Sequence, residues 1–240
     1  MKKSRWRILG FLAFTSMAIA VCYYLGRSEF LNVTQVEVVV VNGPGQSPFM
    51  RSFVDSIDKE MSALKGRSIW NLDLQDKAQV LLQRPELKEV HLTRNWPNTL
   101  SLVVNFKEVR VVILRNPNVV PVLDDGSLLK AVPFAQSPDV PILIGNFFEK
   151  DVGLRKKALE FLAQANETGA FSKKTISEIH YTDKDGFWVV LVHSGIRVKL
   201  GQDKFLTKFA RVQQVLEYLS SHNQRAKTID ANLTRKVLVH

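Results

Sequence analysis

The feature that most constrains this chain is an uncharged apolar run close to its start. Residues 8–25 carry no charged side chain, and a helix of that length spans about 27 Å, close to the hydrocarbon thickness of a bilayer. The run therefore predicts a single transmembrane helix. Four basic side chains and no acidic one precede it: Lys2, Lys3, Arg5 and Arg7. By the positive-inside rule, residues 1–7 are then cytoplasmic and residues 26–240 lie outside the cell (inner) membrane.

The same run has a second interpretation, a cleaved signal peptide. Ala18, Ile19 and Ala20 form the small-x-small pattern that signal peptidases cut. Against cleavage, the apolar stretch continues past this pattern as far as Leu25. The sequence favours the retained anchor, and a mature chain beginning at Val21 would contradict it.

Composition and charge exclude several classes of protein. With 45% hydrophobic residues the chain is not disordered, and 240 residues suffice for one or two domains. The formal net charge is +10, but no basic stripe with interleaved aromatic side chains indicates nucleic-acid binding. Cys22 is the single cysteine, so neither an internal disulfide nor a cysteine-based zinc site is predicted.

The first 75 residues or so outside the membrane predict a small α+β domain within residues 26–106. Strands are indicated by β-branched or alternating patterns, and helices by apolar spacing with capping residues and prolines. The predicted order is strand, helix, helix, strand, strand, over residues 33–41, 48–64, 74–84, 88–94 and 99–105. The short connection at 96–98 makes the last two strands an antiparallel hairpin.

Residues 107–240 predict a second domain, mostly antiparallel β with two helices. Short apolar runs separated by turn residues indicate the strands. One helix is predicted over residues 153–166, and another starts near Asp203 with a single apolar stripe. Residues 226–230 and 236–239 predict two short closing strands. The fold class is therefore α+β.

No pattern in the sequence indicates catalysis. The five histidines lack the spacing of metal ligands, and no nucleophile, phosphate-binding or dinucleotide motif is present. Asp124 and Asp125 could form a carboxylate pair, but two aspartates followed by Gly126 are more typical of a turn. We predict no enzyme activity, cofactor, metal or small-molecule substrate. An anchored envelope enzyme is the alternative, and it would need a catalytic cluster in a cleft.

A collinear set of short motifs resembles the bacterial FtsQ/DivIB family of cell division proteins. The segment from Arg94 to Leu100 matches an R-x-W-P-x-x-L hairpin motif, P-x-L-x-G begins at Pro141, and G-x-x-x-x-L-G begins at Gly195. The motif residues expected to have structural roles are Arg94, Trp96, Pro97, Leu100, Pro141, Gly145, Gly195, Gly201 and Asp230. The resemblance implies a POTRA-like first domain. Another POTRA-bearing envelope assembly factor is an alternative, but residues 107–240 are too few for an outer-membrane barrel.

The resemblance also implies a function and a contact surface. Members of the family are scaffolds of the divisome at the septum, and they contact the bitopic proteins FtsB and FtsL. The final strand would offer its edge to such a partner, because an exposed edge presents unpaired backbone groups. The residues expected to bind the partner are Leu233, Arg235, Lys236, Val237, Leu238 and Val239. Departures from the family pattern include this surface, where Leu233 stands in place of an aromatic residue and Lys236 in place of a glycine, and residues 106–109, where the family's Glu and Pro are missing.

Overall fold

The computed structural model describes residues 14–20, 23, 31–41, 48–233 and 237–239. Residues 14–20 are helical. The predicted cytoplasmic tail, most of the predicted span 8–25 and the turn before residue 48 lie outside the described residues, as do Arg235 and Lys236. Within the described part of the chain, no helix combines the length and apolar character needed to cross a membrane.

The chain divides into two compact units, one ending at Phe106 and the other beginning at Lys107. The first unit has the predicted order β-α-α-β-β. Its elements are β1 (Gln35–Val40), α1 (Pro48–Ser62), α2 (Leu74–Leu82), β2 (Leu87–Asn95) and β3 (Thr99–Phe106). The sheet order is β1-β3-β2, with β1 parallel and β2 antiparallel to β3.

Alternation along β3 places one row of apolar side chains in the core of the first unit. Leu100, Leu102 and Val104 are fully buried on one face of the sheet. Ile57 of α1 is also fully buried. In α2, Leu82 is 44% exposed, whereas Leu81 is buried. Consecutive helical residues are turned by about 100°, so Leu82 leaves the core face.

The second unit is built on a nine-stranded sheet. Its strands are β4 (Val109–Arg115), β5 (Asn118–Leu123), β6 (Val132–Pro133), β7 (Ile142–Ile144), β8 (Ile176–Thr182), β9 (Gly186–Leu191), β10 (Arg197–Gly201), β11 (Thr228–Asp230) and β12 (Leu238–Val239). The helices are α3 (Phe147–Lys150), α4 (Val152–Gln164) and α5 (Phe205–Ser221), with a short 3₁₀ turn at Phe134–Gln136. The order across the sheet is β12-β11-β10-β9-β8-β7-β4-β5-β6.

Most neighbouring strands in this sheet are antiparallel, as predicted, but three described pairs are parallel. These are β4 with β7, β7 with β8, and β10 with β11. Helices α3 and α4 separate β7 from β8 in sequence, and α5 separates β10 from β11. A parallel neighbour requires a crossover connection of this kind. The two predicted helices thus return the chain to the same sheet.

The main core of the second unit lies between the sheet and helices α4 and α5. Ile179, Val189 and Val198 are fully buried on neighbouring strands. Phe161 of α4 stacks on Phe187 of β9, with ring centroids 5.3 Å apart. Aromatic pairs of this kind add to the free energy gained from burial. This packing fixes the strands on which the candidate edge depends.

Candidate partner-binding edge

The last described strand forms one edge of the nine-stranded sheet. β12 pairs antiparallel with β11, with Leu238 opposite Asp230 and Val239 opposite Ile229. In the described part of the chain no strand lies on its other side. Leu238 is 44% exposed and Val239 is 43% exposed. One row of main-chain donors and acceptors therefore faces outward beside apolar side chains, an arrangement that accepts an added strand.

Buried Lys208 at the start of α5 ties together the chain segments that lead to this edge. Its Nζ donates to the backbone carbonyl of Leu200 at 2.7 Å, to Asp203 Oδ1 at 3.2 Å and to Asn232 Oδ1 at 3.3 Å. Lys208 is only 3% exposed. A buried ammonium needs such partners, because burial without them is costly. The contact joins the end of β10 to the segment that follows β11.

Gly201 leaves the space that this arrangement requires. Its φ is +74°, and a Cβ at this position would lie 2.1 Å from Asn232 Oδ1. Asn232 in turn donates its backbone N–H to Asp230 Oδ1 at 2.9 Å. The last glycine of the G-x-x-x-x-L-G motif, Gly201, thus leaves room for the Asn232 side chain. The chain can then pass this point on its way to β12.

The residues predicted to bind a partner have different surroundings. Leu238 and Val239 form β12, and Val237 is half-buried just before it. Leu233 does not belong to a strand. β11 ends at Asp230 because that side chain accepts the N–H of Asn232 and turns the chain. Leu233 is 44% exposed, and its carbonyl accepts from Arg211 at 3.0 Å.

The hairpin motif has a structural role in the first unit. Arg94 donates from Nε to the carbonyl of Ile69 at 2.9 Å and from Nη2 to that of Leu72 at 2.6 Å. The guanidinium fork thereby fixes the loop between α1 and α2 to the hairpin. Trp96, followed by Pro97 in the turn, is 51% exposed, while Leu100 is buried in β3.

The remaining motif positions lie in loops and strand ends of the second unit. Pro141 accepts a hydrogen bond from Val112 N–H at 3.0 Å immediately before β7, and Gly145 follows β7. Gly195 has φ +65° in the turn between β9 and β10. None of these positions lies in β12, so the described motif residues support the sheet and do not form its edge.

A cluster on the sheet face opposite α4 and α5 was not anticipated. The rings of His180 and Trp188 stack with centroids 3.6 Å apart, and Arg197 Cζ lies 4.8 Å from the centroid of Trp188. The carboxylate of Glu178 lies within hydrogen-bond distance of His180, with Oε2 2.7 Å from Nε2. The alternation within β8, β9 and β10 places these side chains on one face, but their contacts depend on strand register, which the sequence does not reveal.

The acidic turn after β5 has the geometry of a turn, as expected. Asp125 accepts the N–H of Ser127 at 2.9 Å and pairs with Lys107 Nζ at 2.8 Å. Burial opposes ionisation of Asp125, but hydrogen bonds from Lys107 and Ser127 outweigh it and lower the pKa of the carboxyl to about 2. Among the described residues, no three or more His, Cys, Asp or Glu side chains are grouped to hold a metal ion.

Comparisons with known proteins agree with the division into two units. Residues 54–105 match the family model "POTRA domain, FtsQ-type", and residues 111–232 match "Cell division protein FtsQ/DivIB, C-terminal". Cell division protein FtsQ of Geobacter sp. (strain M21) is 29% identical over 224 residues, which cover 90% of this chain and 78% of that protein. Cell division protein DivIB of Geobacillus kaustophilus is 24% identical over 243 residues, which cover 100% of this chain and 83% of that protein.

A solved structure is also similar, over part of the chain. It is the major extracytoplasmic domain of DivIB from Geobacillus stearothermophilus, with a TM-score of 0.35 and 22% identity. The match covers 48% of this chain and 95% of that one. The C-terminal family model by itself spans just over half of the present chain. This chain belongs to the FtsQ/DivIB family of cell division proteins.

Proposed function

We propose that this protein is a non-catalytic, membrane-anchored scaffold that links early and late division proteins during septum formation. The uncharged run at residues 8–25 supplies the anchor in the inner membrane. Residues 26–106 form the POTRA-like domain and residues 107–240 the C-terminal β domain. The names of the relatives supply the cell-division role.

The exposed edge of β12 is the observation that carries the proposed scaffold role. We infer that a small bitopic partner of the FtsB/FtsL type adds a strand to β12, so that main-chain hydrogen bonds supply affinity. Leu238 and Val239 contribute apolar contacts beside these bonds. Arg235 and Lys236 favour an acidic partner segment, as does the exposed Arg197 on nearby β10.

Site-specific photocrosslinking in dividing cells tests the edge directly. A photoreactive amino acid at Leu238 should crosslink to a small membrane protein of the division machinery. The same amino acid at Lys157, an exposed position on α4, is the matched control and should not crosslink to that protein. Partner recovery that survives deletion of residues 233–240 would move the interface elsewhere, with α5 as the next candidate.

Two proline variants separate the outward-facing bond from the strand pairing. Successive N–H groups of a strand point to opposite sides, so one of Leu238→Pro and Val239→Pro removes an outward donor and the other removes a donor to β11. The variant that removes the outward donor should lose partner recovery, while the backbone amides of β11 keep their protection from hydrogen exchange. Depletion of the protein followed by microscopy tests the wider role, and normal septation in depleted cells would contradict it.

A further inference from the structure

Two tryptophans of the first unit form an exposed pair. Trp70 is 60% exposed and Trp96 is 51% exposed, although their rings lie 4.6 Å apart and 49° from parallel. The contact between Trp70, a loop residue, and Trp96, a hairpin residue, therefore covers only part of each ring. A buried tryptophan is among the largest contributors to a core. The packing of the first unit therefore does not explain why so much apolar area of these two rings remains in solvent.

The pair lies at the end of the first unit where the chain enters from the predicted membrane span. Ile69, which precedes Trp70, donates its N–H to the carbonyl of Leu31 at 2.9 Å. Asn98, in the turn that contains Trp96, accepts the N–H of Thr34 at 2.9 Å. β1 and β3 start side by side at this end because they are parallel, with Gln35 opposite Thr99.

The connection to the predicted span is short. The apolar run ends at Leu25 and the described chain resumes at Leu31, so the connection reaches about 20 Å when fully extended. The eight residues of β3 cover about 26 Å. The connection is therefore shorter than the first unit itself. This end of the unit cannot move away from the bilayer by a distance equal to the length of the unit. If residues 8–25 span the membrane, both indole rings stay within reach of the headgroup layer.

The surface around the rings suits an anionic lipid headgroup layer. An indole has an apolar body and one N–H donor, a combination that concentrates tryptophan at membrane–water interfaces. Lys65 and Arg67 are exposed in the same loop as Trp70 and bring positive charge that lipid phosphates attract. Arg94 holds this loop to the hairpin through the carbonyls of Ile69 and Leu72.

We propose that Trp70 and Trp96, with Lys65 and Arg67, form a membrane-contact surface that rests the first unit on the headgroup layer of an anionic bilayer. This inference depends on the anchor in the proposed function. The groove beside β2, which both tryptophans border, would instead suit a peptide. The position of the pair at the end nearest the anchor favours the bilayer.

Fluorescence quenching in nanodiscs of brominated lipid tests the contact in the full chain. The chain has four tryptophans, at positions 6, 70, 96 and 188. A variant that keeps only Trp70 and Trp96 should lose emission when bromine is carried at a shallow acyl position. A variant that keeps only Trp188, in the second unit, is the matched control and should lose none. Replacement of Lys65 and Arg67 by Gln should reduce the quenching in anionic discs.

A third variant distinguishes failure of the contact from failure of the anchor. Trp6 is separated from the predicted span only by Arg7, so a variant that keeps only Trp6 should be quenched if the span is inserted. Quenching of Trp6 without quenching of the Trp70–Trp96 pair overturns the contact and leaves the anchor standing. If the emission of the Trp70–Trp96 pair changes when a division protein is added but not when bromine is present, the surface binds a protein partner. That result also overturns the membrane contact. Absence of quenching in all three variants contradicts the anchor and, with it, the contact.

Discussion

Replacement of Gly201 by alanine should destabilise the second unit at the segment that leads to β12. Gly201 has φ +74°, a conformation that costs a residue with a Cβ about 1–2 kcal/mol. The new Cβ would lie 2.1 Å from Asn232 Oδ1, so that side chain must move by more than about 1 Å to reach a normal contact distance. The movement breaks the Lys208–Asn232 hydrogen bond, which contributes about 1 kcal/mol. The total loss in the free energy of unfolding is about 2–3 kcal/mol.

Gly195→Ala is the matched control for backbone strain. Gly195 also has positive φ, at +65°, but nothing lies within 4 Å of a Cβ there. We expect this variant to lose about 1–2 kcal/mol. Adding Asn232→Ala to Gly201→Ala removes Oδ1 and Cγ of Asn232, the two atoms nearest the new Cβ, and leaves Lys208 Nζ at 3.2 Å, the far end of a flexible side chain. In that background Gly201→Ala should cost no more than the control. The cost of Gly201→Ala with Asn232 present, minus its cost in the Asn232→Ala background, is the coupling free energy.

Urea denaturation of the full chain at constant detergent concentration measures these differences. A background with Trp6, Trp70 and Trp96 replaced by Phe leaves Trp188 of β9 as the fluorescent reporter of the second unit. Crosslinking from position 238 gives a second readout, since displacement of Asn232 should also weaken partner capture. Equal costs for Gly201→Ala and Gly195→Ala, or strict additivity with Asn232→Ala, would refute the steric argument.

Further predictions concern side chains with defined hydrogen bonds. Arg94→Lys should lower the free energy of unfolding of the first unit by about 1–2 kcal/mol, because an ammonium cannot reproduce the two-carbonyl fork; urea denaturation followed by circular dichroism measures this. Lys208→Met should cost the second unit about 1–3 kcal/mol, whereas the exposed Lys157→Met should have little effect; equal effects would contradict the role of the buried ammonium. Asp125→Asn should cost under about 1 kcal/mol at pH 7, since the Asp125 carboxylate is 45% exposed. The pKa of Asp125 is lowered from 3.8 to about 2 in the fold, so its contribution is present above pH 4 and lost as pH falls towards 2; acid titration of both proteins should show their difference vanish over that interval.

The architecture of the first unit could be predicted because its local signals agree with its packing. Asp73, which precedes the apolar run of α2, caps that helix by accepting the N–H of Asp76. The alternation of Leu100, Leu102 and Val104 corresponds to a fully buried row of β3. These features depend on residues close together in sequence, where side-chain type and spacing decide the outcome.

Features that depend on long-range register could not be predicted in the same way. The stacking of Trp188 on His180 requires β8 and β9 to pair in one register, and a shift by one residue would send the two rings to opposite faces. The contact between Trp70 and Trp96 joins a loop to a hairpin.

The separation between motif residues and edge residues has a physical basis. Gly201 and Arg94 each satisfy a steric or hydrogen-bonding requirement that few other side chains meet. Strand addition at β12 would use main-chain N–H and C=O groups, which every residue except proline supplies in full. The departures from the family pattern expected at Leu233 and Lys236 therefore remove no outward donor of Leu238 or Val239. Partner specificity would then come from the side chains that flank the edge, and the elements that hold β12 in place would be the less tolerant of substitution.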